Sequence, residues 1–171
     1  MTKIKKGTFH MIELDPIYPE DKDKCYELLC SQLEALLDNE TNLIANLSNT
    51  SALLNQGLRN INWVGFYLLD KDVLHLGPFQ GKVACMHIPV GKGVCGTAVA
   101  KNQTILVEDV HAFPGHIACD SASNSEIVIP IHRNGKIIGV LDIDSPSVGR
   151  FTSTDKNALE KIVTILENSI R

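Results

Sequence analysis

The sequence has no run of lysine or arginine and no apolar stretch near the roughly 18 residues that a membrane span requires. With a formal net charge of −4, these two absences argue against nucleic acid or an anionic membrane as partner. The opening Met1-Thr2-Lys3-Ile4-Lys5-Lys6-Gly7 is not followed by an apolar signal core, so a cytoplasmic location is expected. Internal repeats, low-complexity tracts and interdomain linkers are also missing, and 171 residues at 44% hydrophobic suit one domain with a sizeable core. The five cysteines are not the even set of a secreted disulfide framework, so their default state is thiol. Gly91-Lys92-Gly93-Val94-Cys95-Gly96 lacks the spacing and terminal Lys-Ser/Thr of a phosphate loop. Cys85-x-His87 and His116-x2-Cys119 do not make the paired short spacing of structural zinc sites, so no metal is expected.

What remains is organised around residues 113–144, a Gly- and Pro-punctuated loop carrying Cys119 that runs into a β-hairpin with carboxylates at its far end. Glu126–His132 and Lys136–Asp144 are β-rich runs joined at Arg133-Asn134-Gly135, a strong turn signal. A two-residue loop would mix charged and apolar side chains on both faces. A three-residue loop with Gly135 in a bulge instead places Glu126 opposite Asp142 and makes one face wholly apolar, and this is the expected register. The other face then gathers Glu126, Asp142 and Asp144. Three clustered carboxylates repel one another unless a cation or a retained proton relieves them. The site therefore suits a small ligand with an ammonium group, and one carboxyl can act as a general acid.

Residues 1–19 are polar, with Pro16 and Pro19, and read as an N-terminal arm; a second copy of the chain is one surface it could pack on, which leaves a homodimer open. From about Pro19 to Asp38, Cys25, Leu28, Leu29, Leu33, Leu36 and Leu37 follow helical spacing. Cys25 and Cys30 fall on or beside that stripe and read as core residues. A second helix is expected over about 42–56, ended by Gly57, and a last one from Thr152, with Asp155 in a capping arrangement, to about Ile170. Between them, 60–69, 73–76, 84–89 and 104–107 read as strands and 97–101 as a short helix. Gly77-Pro78-Phe79-Gln80-Gly81 is expected to break the second strand. Trp63 and Tyr67 share a strand face, and both are candidates to line a pocket. The order predicts an α+β domain over 20–171, its mostly antiparallel central sheet covered by helices on one face and free to hold a ligand on the other.

Cys85, Cys95 and Cys119 lie in the loop-rich middle, beside strand ends or glycine turns. A thiol redox site needs one accessible cysteine with thiolate character and a second that can reach it; Cys119 is the best attacker. Asn62-Trp63-Val64-Gly65-Phe66-Tyr67, Gly77-Pro78-Phe79-Gln80-Gly81-Lys82, Gly91 to Gly96, Gly115-His116-Ile117-Ala118-Cys119-Asp120, Ser125-Glu126-Ile127-Val128 and Gly139 to Pro146 together resemble the free methionine-(R)-sulfoxide reductases, built on a GAF domain. One departure is His87, where arginine is more usual. The resemblance implies a GAF-like catalytic domain, no bound cofactor and a place in the response to oxidative stress. It implies that Cys119 attacks the sulfoxide of free L-methionine-(R)-sulfoxide, leaving a sulfenic acid, and that Cys85 condenses with it to a redox-active disulfide. Thioredoxin then reduces that disulfide, drawing on NADPH through thioredoxin reductase. Cys95 is the third family cysteine and stands ready to relay or replace this step. Glu126 is the candidate acid, Asp142 and Asp144 the ammonium holders, and Trp63 and Tyr67 the enclosure of the methyl-sulfoxide end. A sensor module that binds a small ligand without chemistry is the competing reading.

Overall fold

Helical spacing at the two ends and β-branched alternation in the middle resolve, among the described residues, into four α-helices and six strands. The computed structural model of the chain describes residues 18–117 and 120–170. Most of the arm and Cys119 lie outside them. The helix α1 (Lys22–Leu37) opens on Asp21, whose carboxylate accepts the Lys24 N–H at 2.9 Å. In α2 (Leu43–Gly57) Asn42 does the same for Ala45 at 3.0 Å. These caps satisfy amide groups that a helix start leaves open. Gly57 is the last helical residue rather than a left-handed stop. Its use is close approach, since a Cβ there would stand 2.5 Å from a Leu29 methyl.

The strands β1 (Trp63–Asp70), β2 (Val73–Gly81), β3 (His87–Pro89), β4 (Ile105–Val107), β5 (Ser125–Arg133) and β6 (Lys136–Ser145) form one sheet, ordered β3-β2-β1-β6-β5-β4 and antiparallel throughout. β2 continues through Gly77–Gly81 because a bulge opposite Phe66 absorbs Gly77 and Pro78. A proline in a bulge loses no ladder hydrogen bond.

The hairpin register differs from expectation by two residues: Glu126 pairs with Asp144 and Val128 with Asp142. Asn134 and Gly135 both take positive φ, 52° and 73°, and close a two-residue turn between Arg133 and Lys136. A bulge that leaves Ile138 unpaired, between Ile131 and His132 of the partner strand, then shifts the ladder by one. A shift of two preserves the faces. Ile127, Ile129, Leu141 and Ile143 still point one way, and Glu126, Asp142 and Asp144 the other.

The apolar face packs on α1, α2 and α4 (Ser153–Ser169), with Leu29, Leu33, Leu47, Leu159 and Leu166 fully buried. Burial of each such side chain contributes about 1.5–3 kcal/mol relative to leaving it in water. The helix α3 (Gly93–Lys101) begins four residues earlier than its spacing suggests and lies over the other face, where Val94, Cys95 and Ala98 meet Trp63, Tyr67, Val128 and Val140. Three helices cover one face and one covers part of the other. None of the described helices is long and apolar enough to cross a membrane.

The helical layer is tied at Asp155, fully buried at the start of α4. Its carboxylate accepts from Lys22 Nζ at 2.6 Å, Tyr26 Oη at 2.9 Å, Arg150 Nη1 at 2.8 Å and the Thr152 backbone and hydroxyl at 2.8 Å. Burial alone would raise its pKa, but the bonds from Lys22, Arg150 and Thr152 outweigh it and hold the carboxyl well below the usual carboxylate range. A depressed folded pKa gives stability that is complete above the unfolded value, near 4, and fades as pH falls through the folded one. Asp155→Asn is expected to cost about 3 kcal/mol in urea unfolding at pH 7, the low end for a broken buried pair because Lys22 is half-exposed. The cost is expected to shrink below pH 4. An equal cost at pH 3 and pH 7 would show that the charge is not what stabilises.

Candidate active site

On the sheet face under α3, the antiparallel registers set the acids side by side. Asp142 lies opposite Gly65, and Asp144 lies between Trp63 on β1 and Glu126 on β5. A Cβ on Gly65 would collide with Phe79 and the Trp63 ring, so only glycine lets these two side chains close over the strand here. The first turn of α3 adds Val94 and Cys95, and the loop after Val110 adds His116, Ile117, Asp120 and Ser123. Together with Tyr67 and Ile88 these residues enclose a cavity.

Its chemistry is dominated by the carboxyls. Glu126 and Asp142 are each only 6% exposed, and Asp144 is half-buried. Burial, then the neighbouring charges of Asp142 and Asp144, push the Glu126 pKa well above its ordinary value. Burial raises Asp142 to about 6, partly offset by hydrogen bonds with Cys95 and Glu126. Asp144 is pushed well up by burial and by Asp142. Near neutral pH the trio therefore retains protons. One oxygen of Asp142 is buried without a hydrogen-bond partner among the described residues. A buried acceptor left open in this way marks a place for a donor.

Around the acids, Cys95 Sγ lies 4.0 Å from Glu126 Oε1, and His116 Nε2 lies 3.9 Å from Glu126 Oε2. Burial and the charges of Asp142 and Glu126 push the Cys95 thiol well up, so it stays protonated and is a poor nucleophile here. Burial, helped by His111, lowers the His116 pKa, which keeps that ring neutral. Ligand atoms of Cys95, Glu126 and Asp142 lie within 4.8 Å of one another, close enough to surround a cation, whether a metal ion or an ammonium.

Tyr67 lines the cavity, but Trp63 is not among the lining residues. It stacks on Tyr67 at 5.8 Å and on Phe79 at 5.3 Å, and its Nε1 donates to the Lys82 carbonyl at 3.1 Å. Trp63 thus braces Tyr67 from behind. Cys85 is half-buried against the same cluster and is disulfide-bonded, while Cys25, Cys30 and Cys95 keep free thiols. Cys25 and Cys30 sit in the helical core, as their spacing implied.

Sequence reasoning placed no role on His116, Asp120 or Ser123. Asp120 accepts from the Ala122 N–H at 2.9 Å and from Asn62 Nδ2 at 3.1 Å, with Lys82 Nζ at 3.6 Å. The Ala122 bond, with Asn62 and Lys82, holds its carboxyl below the usual range. These contacts fasten the cysteine-bearing loop to the residue before β1 and to the segment after β2. A loop has no periodicity from which such contacts could be read.

The chain matches the GAF domain family over residues 32–170. It is 58% identical over 147 residues to the free methionine-R-sulfoxide reductase of Escherichia coli (strain K12), covering 86% of this chain and 89% of that protein. Its fold superposes on fRMsr of Staphylococcus aureus in complex with substrate with a TM-score of 0.83 at 58% identity, covering 85% and 95% of the two chains. The free methionine-R-sulfoxide reductase of Neisseria meningitidis in complex with its substrate gives 0.86 at 46% identity, covering 90% and 92%.

Proposed function

This chain belongs to the GAF domain family and, within it, to the free methionine-R-sulfoxide reductases, and from that premise we propose how its own residues carry out the reduction. The carboxylate cavity binds free L-methionine-(R)-sulfoxide, and Cys119 reduces it. The observation that carries this reading is the buried trio of Glu126, Asp142 and Asp144 with one Asp142 oxygen unpartnered. No lysine or arginine is among the described residues that line this cavity, and the α-ammonium of a free amino acid supplies the matching positive charge. Asp142 and Asp144 hold it. Tyr67, braced by Trp63, lies beside the methyl-sulfoxide end.

The Cys119 thiolate forms a bond to the sulfoxide sulfur while Glu126 gives its proton to the oxygen, because unprotonated oxide is a very poor leaving group. The sulfur–oxygen bond breaks and the hydroxyl passes to the Cys119 sulfur as its bond to the methionine sulfur breaks, so methionine leaves reduced by two electrons and Cys119 is left oxidised as the sulfenic acid. The Cys85 thiol attacks that sulfur, water departs, and a disulfide remains for thioredoxin to reduce. The disulfide at Cys85 and the free thiol at Cys95 support Cys85 as the resolving partner. No metal or prosthetic group enters the scheme, and NADPH acts only through thioredoxin reductase.

The test runs thioredoxin-coupled NADPH oxidation on three substrates: free L-methionine-(R)-sulfoxide, the (S) epimer and an N-blocked (R)-sulfoxide. Only the free (R) compound is expected to turn over. Equal turnover of the blocked compound would remove the ammonium role of Asp142 and Asp144. Inactivity toward all three would leave a binding module in place of the enzyme.

A further inference from the structure

On the opposite face of the sheet from the carboxylate cavity, two imidazoles meet at the β2–β3 edge. His75 and His87 are directly paired across the antiparallel ladder. Their Nδ1 atoms are 3.0 Å apart, with the rings nearly perpendicular at 79°. His75 also lies opposite Leu68, which packs on the helix-side core, so the pair points away from Tyr67 and the acids. His87 is exposed and His75 half-exposed, so an ion can reach both from solvent.

From this geometry we infer that His75 and His87 form a surface site for a borderline divalent cation of the Cu²⁺ or Zn²⁺ type. Metal–nitrogen bonds of about 2.0–2.1 Å at angles of about 90–109° set two imidazole nitrogens on one ion about 2.9–3.4 Å apart. The observed 3.0 Å falls in that range. The ladder sets the two residues side by side, and a hydrogen bond between the Nδ1 atoms, one ring donating and the other accepting, holds the rings together until an ion displaces its proton. Imidazole suits these ions, and Cu²⁺ is bound more tightly than Zn²⁺ in the usual order. Asp70 lies on the same face, two residues beyond Leu68 and diagonal to His75. Remaining positions are open to water. An ion held here would pin the edge strand between Cys85 and Cys95 without touching the sulfoxide chemistry, so this site stands or falls independently of that function.

The experiment is calorimetric titration of the tag-free, disulfide-bonded protein with Zn²⁺, beside His75→Ala, His87→Ala and the double variant. One Zn²⁺ per chain that the double variant loses is expected, whatever the carboxylate cavity takes up, and each single variant is expected to bind that ion about tenfold or more weakly, as when one ligating or orienting group is lost. Both side chains reach solvent, so the variants are expected to keep the melting temperature and the turnover of the parent protein. Electron paramagnetic resonance of the Cu²⁺ form is expected to report two imidazole nitrogens, and one or none in the single variants. Binding unchanged by either substitution, half an ion per chain, or no heat up to millimolar Zn²⁺ would each overturn the site.

Discussion

Cys119→Ser is expected to abolish thioredoxin-dependent turnover, by a factor on the order of 10⁴ or more, the scale seen when an enzyme loses its nucleophile. A serine hydroxyl stays protonated at neutral pH, whereas a thiol reaches its anion readily and is intrinsically the better nucleophile. Cys85→Ser should divide the reaction instead of ending it. The variant is expected to release one methionine per chain, then stop with a sulfenic acid that dimedone and mass spectrometry detect on Cys119. Cys95 is poorly placed to take over, since its thiol is buried, pushed up in pKa and faces Glu126. Steady turnover by Cys119→Ser would remove the attacker, and steady turnover by Cys85→Ser would transfer the resolving role to Cys95.

What the sequence made legible, and what it did not, divides along the range of the physical signal. The capping arrangement at Thr152 and the leucine stripes depend on residues three or four apart, and the helices they announce are present. The faces of β5 and β6 were legible for a similar reason, because alternation has a period of two. The exact pairing was not, because the bulge at Ile138 has no residue signature and reconciles a two-residue turn with a buried apolar face. Glycine and proline in Gly77–Gly81 read as a break, yet the strand absorbs them in a bulge.

The carboxylate trio could be anticipated because any register that keeps the apolar face of the hairpin whole puts the three acids together on the other face. Tyr67 belonged to the same argument. Trp63 shares its face too, but the period-two rule cannot tell a lining residue from one that stacks behind it. The contribution of His116 depends on the path of a loop, and only three-dimensional placement brings it within 3.9 Å of Glu126.

Glu126→Gln is expected to slow single-turnover methionine release by about 10²–10⁴, the range for a lost general acid, while substrate affinity changes far less. Glutamine keeps the shape and can donate a hydrogen bond to the sulfoxide oxygen, but it cannot give up a proton. Affinity is spared because Asp142 and Asp144 remain to hold the ammonium. In the parent protein, burial and the two aspartates keep the Glu126 proton on at pH values where an exposed glutamate has lost it. The parent rate should fall on the alkaline side as that proton is lost, and the variant should lack this limb. Stability runs the opposite way. A carboxyl whose folded pKa lies above its unfolded value binds more protons when folded, so it loses stability as pH rises from about 4 through the folded pKa. Glu126→Gln should therefore unfold less readily than the parent at pH 8 while being the slower catalyst, with the stability difference narrowing toward pH 5. A single-turnover rate equal to the parent's would remove Glu126 as the proton source; a slow variant with no pH-dependent gain in stability would place the defect in geometry and not in a retained proton.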